Sequence, residues 1–136
     1  MTLKDFEQLI AVKNEILVLN RRLEREQAKG NKFVADFAKD YSSGFAHAVT
    51  LRGYSIADSD KMGRIRTVLE NRKDRLEKLV YDAELFIDSI SDSKVRMILT
   101  LRYIEGEEWN DVAKKVYRKM TGDAARMSII RFFKNV

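Results

Sequence analysis

The amino-acid sequence predicts an all-α protein, in which a long antiparallel coiled-coil hairpin is followed by a tri-helical helix-turn-helix domain. Three observations predict this class. The 136 residues include no Pro and only six Gly, and 35% of them are charged, a composition typical of helical proteins. Two long stretches carry heptad patterns of apolar residues. Shorter amphipathic stretches follow, each bounded by residues that cap or end helices.

The first predicted helix covers about residues 3–41. Its apolar residues alternate between spacings of three and four, which marks a seam facing a partner helix; they are Leu9, Val12, Ile16, Leu19 and Leu23. The same phase continues through Glu26 and Gly30 to Phe33 and Phe37. The helix either continues through Gly30 or breaks there and resumes, and we favour a continuous helix with a weak point at Gly30.

The second predicted helix covers residues 59–90 and carries a longer seam, made of Met62, Ile65, Leu69, Arg72, Leu76, Leu79, Ala83, Phe86 and Ile90. Asp58 or Ser59 is expected to cap its N-terminus. We expect the two helices to pair antiparallel. Arg72, the one polar residue of this seam, then lies beside Glu26 or another carboxylate of the first helix, or extends out to solvent.

The connection between these helices, residues 42–58, reads "SSGFAHAVTLRGYSIAD". It has no helical period and no GxxxxGK[ST] phosphate-binding motif. His47, the only histidine, has no second base or nucleophile spaced around it, so a structural or exposed role is expected. The acidic residues are scattered over helix faces, and the chain has no Cys. The sequence therefore predicts neither an enzyme nor a cofactor or metal site.

The predicted helix-turn-helix domain covers residues 91–136, which leaves residues 1–90 for the hairpin. Asp92 or Ser93 is expected to cap its first helix and Gly106 to end it. A second helix follows over residues 109–116, with Glu107 and Glu108 near its N-terminus, where the helix dipole favours negative charge. Thr121 is expected to cap the third helix.

The excess positive charge is concentrated in the last 25 residues. Seven basic side chains lie between Val112 and Val136 against Asp123 alone, whereas residues 1–111 hold 19 basic and 20 acidic side chains. A local excess of this kind is typical of a surface that binds a polyanion; a basic solvated segment is the alternative. Two short helices followed by a basic third helix are the order of a helix-turn-helix motif, whose last helix enters the major groove.

The stretch "ILTLRYIEGEEWNDVAKKV" resembles a signature of small regulators from phages of Gram-positive bacteria, the ArpU-like and RinA-like late-gene activators. The matching residues are Leu101, Arg102, Tyr103, Gly106, Trp109, Val112 and Ala113. The stretch "DAARMSIIRFF" resembles the recognition helix of that family, whose DNA-binding domain is similar to region 4 of primary sigma factors. The resemblance implies a sequence-specific transcriptional regulator that binds double-stranded DNA. The connection "YRKMTGD" is longer and more basic than the turn usual in sigma-like domains.

The candidate DNA-binding residues are Lys114, Lys115, Arg118, Lys119, Thr121, Asp123, Arg126, Met127, Arg131 and Lys134. Arg126 and Arg131 are the candidates for guanine edges, because a guanidinium can bond both acceptors of guanine at once. The lysines and Arg118 are candidates for phosphate contacts. Met127, with Ile130, either contacts thymine methyl groups or packs against another subunit, and we favour the second.

The predicted partners are double-stranded DNA and a second copy of the chain, paired through the hairpin or the last helix. A monomer that recruits RNA polymerase is the alternative. Two other functions fit the same pattern: a protein-interaction module that inhibits a host nucleic-acid enzyme through the hairpin, and a small-terminase-like DNA-packaging protein. No leader pattern and no long apolar run occur in the sequence, so a cytoplasmic protein without membrane contact is expected, in the host cell if it is phage-encoded.

Overall fold

The protein is described from a computed structural model that covers residues 1–40 and 56–135, with residues 31–40 and 56–58 in backbone only. Its five α-helices are α1 (Leu3–Asp40), α2 (Ile56–Asp88), α3 (Ser93–Leu99), α4 (Trp109–Val116) and α5 (Gly122–Lys134). A π-helical segment, Thr100–Ile104, continues α3. The described residues contain no strand. The predicted all-α class, with two long helices followed by short ones, is confirmed.

The chain forms two compact units. The hairpin unit is Asn14–Lys73, and the terminal unit joins Met1–Lys13 to Asp74–Val136. The domain boundary predicted from the sequence lies between residues 90 and 91. In the structure, the start of α1 and the last half of α2 belong to the same unit as the short helices. The physical reason is a shared core, because Phe6 and Leu9 of α1 and Ala83 and Ile87 of α2 are buried in one cluster with the short helices.

The hairpin unit is held together by the predicted heptad seams. Leu19 of α1 is buried in a cluster with Ile65 and Leu69 of α2, and the half-buried Ile16 and Leu23 pack against it. These residues share one face of each helix, as a period of 3.5 residues requires. These five predicted seam residues therefore form the interior of the unit, whereas the side chains of Phe33 and Phe37, also predicted for the seam, lie outside the described part of the chain.

Charged side chains also cross this seam. Arg72 donates from Nε to Glu15 Oε1. Glu26, only 5% exposed, pairs with Lys61 at 2.9 Å and with Lys29 at 3.2 Å. Glu15, the earlier residue of α1, pairs with Arg72, whereas the later Glu26 pairs with Lys61, which precedes Arg72 in α2. The helices are therefore antiparallel, as predicted. Of the sequence alternatives for Arg72, the ion pair is present, with Glu15 as its carboxylate.

Three sequence expectations about the long helices have different outcomes. Helix α1 continues through Gly30 without interruption, as we favoured. Helix α2 begins at Ile56, so Asp58 and Ser59 lie within its first turn and the predicted N-cap is wrong. Of the predicted connection, residues 42–55 with His47 lie outside the described residues, whereas residues 56–58 belong to α2.

The terminal unit is organised around one phenylalanine. Phe6 is fully buried, and its ring centroid lies 5.8 Å from that of Phe86, 5.3 Å from that of Tyr103 and 5.7 Å from that of Phe133. Aromatic pairs at such distances add about 0.5–1.5 kcal/mol each beyond the burial of their area. Phe6 therefore joins α1 to α2, to the π-helical segment and to α5.

The pKa of Glu26 makes the stability of the hairpin unit depend on pH. Hydrogen bonds from Lys61, and secondarily from Lys29, hold the pKa of this carboxyl below its usual range. A carboxyl whose pKa is lower in the folded state stabilises the protein above its unfolded-state pKa, and the contribution is lost as pH falls through the folded-state pKa. Glu26→Gln is thus expected to lower the free energy of unfolding at neutral pH, with a difference from the parent that shrinks in acid.

Urea unfolding at neutral pH and at about pH 3, below the usual glutamate pKa, measures this effect. Glu24→Gln is the matched control, because Glu24 is an exposed glutamate of the same helix and its replacement should change stability little at either pH. An equal loss for both variants, or a loss for Glu26→Gln that stays constant in acid, would contradict the role assigned to Glu26.

Candidate nucleic-acid interface

The first short helix is fixed at both ends by hydrogen bonds. Asp92 caps α3 as predicted, since its Oδ1 accepts from the backbone N–H of Lys94 at 2.9 Å and of Val95 at 3.4 Å. At the other end the helix widens into the π-helical segment, where the Glu105 N–H donates to the carbonyl of Thr100, five residues earlier, at 2.9 Å. The sequence did not predict this widening.

Lys13 of α1 holds the end of the π-helical segment. Its Nζ donates to the carbonyl of Tyr103 at 3.2 Å and to that of Ile104. A cation at this position satisfies carbonyl groups that have no partner within the helix and suits the negative end of its dipole. Burial lowers the pKa of Lys13, and the nearby Glu105 opposes that shift.

Gly106 turns the chain from the π-helical segment into α4. Its φ of +75° lies in the left-handed region that favours glycine, so the predicted helix end is confirmed. The Glu107 N–H donates to the carbonyl of Leu101 at 3.0 Å. Arg102 donates from Nη1 to the carbonyl of Glu107 at 3.0 Å, and its guanidinium lies 4.9 Å from the centroid of the Trp109 ring. Arg102 thus fixes both the turn and the start of α4.

Helices α4 and α5 pack through small and branched side chains. Val112 and Ala113 of α4 and Ala125 and Ile129 of α5 are each at most 1% exposed and belong to one core. Residues 117–121 connect the helices. Thr121 caps α5 as predicted, since its Oγ1 accepts from the Ala124 N–H at 3.1 Å.

All ten candidate residues are exposed; they are Lys114, Lys115, Arg118, Lys119, Thr121, Asp123, Arg126, Met127, Arg131 and Lys134. The two lysines of α4 lie in its last turn, directly before the two cations of the connection. On α5, Met127, Arg131 and Lys134 recur at helical spacing and share a face away from the buried Ala125 and Ile129. We call the seven cations of this set the basic segment.

Within the described part of the chain, one cation of the basic segment has an acidic partner. Lys115 donates from Nζ to Glu107 Oε1, and this bond raises the pKa of the lysine. Glu108 occupies the N-cap position of α4 without capping it through its side chain, and its carboxylate lies 3.8 Å from Arg102. The acidic residues before α4 therefore pair with cations of the same unit. Among the described residues, no group of three His, Asp or Glu side chains is placed to hold a metal ion.

A further cation joins the connection between α4 and α5. Lys94 of α3 places its Nζ 5.4 Å from the centroid of the Tyr117 ring, and Tyr117 is 52% exposed. A cation over an aromatic face is attracted by the negative charge of that face. Sequence reasoning missed this pair because the two residues are far apart in the chain and neither belongs to a recognisable motif.

The two apolar residues that the sequence placed on the outer face of α5 differ in exposure. Met127 is 38% exposed. Ile130 is half-buried and lines a cavity together with Ile10 of α1. Ile130 is therefore partly covered by its own chain. From the sequence alone, only thymine methyl groups or a second subunit were expected as its contacts.

Comparison of the chain with protein-family models, curated protein sequences and solved structures gave no match. No helix within residues 1–40 and 56–135 is long and apolar enough to cross a membrane.

Alanine replacements of two glycines are expected to change stability in opposite directions, because only one of them lies where α4 and α5 approach each other closely. A Cβ added at the buried Gly122 would lie 3.0 Å from the backbone nitrogen of Asn110 and still closer to its side-chain oxygen. Gly122→Ala is therefore expected to destabilise the terminal unit by about 1–3 kcal/mol through overpacking. A Cβ at Gly63, inside α2, meets nothing within 4 Å, so Gly63→Ala should stabilise the protein by about 0.5–1 kcal/mol through helix propensity.

Thermal unfolding of both variants, followed by circular dichroism, tests this pair. A gain in stability for Gly122→Ala equal to that for Gly63→Ala would show that α4 and α5 do not approach each other at this point.

Proposed function

We propose that the protein is a sequence-specific transcriptional regulator that binds double-stranded DNA, with α4 and α5 as a helix-turn-helix and α5 in the major groove. The observation that carries this proposal is the basic segment, whose cations are exposed on α4, on the connection and on the outer face of α5. In a helix-turn-helix the first helix crosses the backbone and the second reads base edges. The resemblance to phage late-gene activators points to the same function.

The two arginines of α5 take the reading role in this proposal. Arg126 and Arg131 are exposed, and a guanidinium can donate to both acceptors of guanine. Asp123, in the first turn of α5, is suited to accept from the amino group of cytosine. Base preference would therefore come from α5 alone.

The remaining cations position the helix on the DNA backbone. Arg118 and Lys119 lie in the connection, and Lys94 is held beside it through Tyr117, so three cations can reach phosphates near the N-terminus of α5. Phosphate contacts fix the position of the protein along the DNA without reading its sequence. They weaken as the salt concentration rises, because the release of counterions from the DNA then gains less free energy. Lys115 contributes less because it is paired with Glu107.

A second candidate function is a protein-interaction module, in line with the inhibitor of a nucleic-acid enzyme that the sequence also allowed. The observation in its favour is a set of exposed apolar side chains on the long helices. Leu17 and Val18 of α1 are 54% and 52% exposed, and Tyr81 and Leu85 of α2 are 61% and 54% exposed. In the DNA-binding proposal the same side chains are available to a second copy of the chain or to RNA polymerase.

Fluorescence anisotropy of the protein with tiled DNA from its own genomic neighbourhood, and with a shuffled control, tests the proposed function. One tile should bind on the order of a thousandfold more tightly than the control, with affinity that falls steeply as salt rises. Equal and weak binding to every tile would contradict a sequence-specific regulator and favour the interaction module.

Charge reversal at Lys119 should weaken binding to all DNA sequences alike. Lys119→Glu removes a phosphate contact and adds repulsion, so the expected result is a lower affinity for tile and control and a salt slope smaller by about one. Lys78→Glu is the matched control, because Lys78 is an exposed lysine of α2 and the change in net charge is the same. If Lys78→Glu lost as much affinity as Lys119→Glu, the change in net charge alone would explain the effect.

Replacement of Arg131 should change sequence preference. Arg131→Ala is expected to relax discrimination at one base position by about 1–3 kcal/mol, measured by anisotropy competition with single-base variants of the bound tile. Lys134→Ala, on the same face of α5, should weaken all variants equally because it removes only a phosphate contact. Equal losses on the tile and on random DNA for Arg131→Ala would contradict a base-reading role.

A further inference from the structure

A cavity of about 250 Å³ opens in the terminal unit, between the start of α1, the π-helical segment, the start of α4 and α5. Its apolar wall includes Ile10, Trp109 and Ile130, and the charged groups that line it are Arg102, Arg126 and Glu7. Small-molecule sites share this character, since they combine a mostly apolar wall with a few polar groups that orient the ligand.

The size of the cavity limits the class of ligand. Sites for drug-sized ligands span about 300–1,000 Å³, so this cavity, at about 250 Å³, lies just below that range. A nucleotide with its base, sugar and phosphates would not be enclosed. A single ring or a short branched chain with one polar end group matches the space and the apolar wall.

The guanidinium of Arg102 is held in place with part of its donor capacity unused. One edge is fixed, because Nη1 donates to the carbonyl of Glu107, and the guanidinium carbon lies 4.9 Å from the centroid of the Trp109 ring. Its Nε is buried and has no hydrogen-bond partner among the described residues. A buried donor without an acceptor is unfavourable, and the guanidinium remains charged beside the cavity, where it attracts a carboxylate.

The charges around the cavity favour an anion. Arg126 adds a second guanidinium, against the single carboxylate of Glu7. That carboxylate makes no ion pair with either arginine in the described part of the chain, and it is exposed, so solvent screens its repulsion of an anion. Glu108, which lies 3.8 Å from Arg102, does not line the cavity, and its side chain is 85% exposed, so solvent screens its charge as well. The two cations and one carboxylate of the lining therefore leave a net positive charge.

We propose that this cavity binds a small apolar carboxylate. The carboxylate lies between Arg102 and Arg126, and the apolar body packs against Trp109 and Ile130. The site shares Arg126 with the DNA contacts proposed above. It does not depend on them, because its ligand is held by groups of the terminal unit in the absence of DNA.

Fluorescence of Trp109, the only tryptophan of the chain, reports occupancy of the cavity in the full-length protein without DNA. The probe is 3-phenylpropionate, and the matched compounds are its neutral amide and 3-phenylpropylamine. The acid should produce a saturable change in emission and bind about tenfold more tightly than the amide, a difference of about 1.4 kcal/mol. The amine should bind more weakly than the amide.

Variants locate the binding. Arg126→Gln should weaken binding of the acid about tenfold and leave that of the amide unchanged. Arg131→Gln is the control, because it removes an exposed arginine of the same helix that does not line the cavity, and it should change neither. Arg102→Lys, which keeps the charge but loses the planar fork, should also weaken the acid selectively. Circular dichroism confirms that each variant is folded.

The proposal is overturned by any of three results: no saturable change with the acid, binding of the amide or amine as tight as that of the acid, or an equal effect of Arg131→Gln and Arg126→Gln. These measurements contain no DNA, so they separate failure of this site from failure of the proposed DNA binding.

Discussion

The terminal unit depends on the burial of Phe6. Its ring contacts Phe86, Tyr103 and Phe133, and these rings belong to three different elements. With Phe6 in place, the π-helical segment lies against α1, where Lys13 holds its last carbonyls. The position of that segment in turn sets Arg102, the Gly106 turn and the start of α4. The surface proposed for DNA therefore rests on a residue near the other end of the chain.

The two units use charge in different ways. In the hairpin unit, Glu26 and Arg72 lie in or beside an apolar seam and have partners of opposite charge. Glu26 is buried, so its charge would be costly without a partner, whereas Arg72 and Glu15 are 36% and 44% exposed, so solvent weakens their attraction. On α4, the connection and α5 the cations are exposed, and Lys115 is the one with an acidic partner among the described residues. Exposure keeps their charge available to a polyanion.

Arg126 belongs to both surfaces proposed for the terminal unit. It lies at the border of the outer face of α5 and also lines the cavity beside Trp109. Its guanidinium has five N–H donors, so a carboxylate in the cavity and a guanine in the groove would both draw on this one side chain. The π-helical segment contributes Arg102 to the cavity, in keeping with the frequent occurrence of such segments at functional sites.

The sequence by itself determined the local structure. Heptad spacing identified the buried seams of α1 and α2 wherever their side chains are described, because residues at intervals of three and four share a helix face. Asp92, Gly106 and Thr121 marked helix ends correctly, since caps and left-handed turns depend on short-range chemistry. The excess of exposed cations near α5 was also readable, because amphipathic spacing separates buried from exposed positions. The cap predicted at Asp58 or Ser59 failed because α2 begins two residues before Asp58, at Ile56, and helix ends are the least certain part of such patterns.

Only the tertiary structure decided the contacts between residues distant in sequence. The choice of Glu15 for Arg72, the pairing of Lys94 with Tyr117 and the cavity around Arg102 each require two elements to be packed at a given distance, and no local pattern encodes that distance. The grouping of the first turns of α1 with the short helices has the same origin. A period of 3.5 residues predicts that one face of a helix is buried but does not predict which element packs against it. For the start of α1 those elements are the ones that carry the three aromatic rings around Phe6.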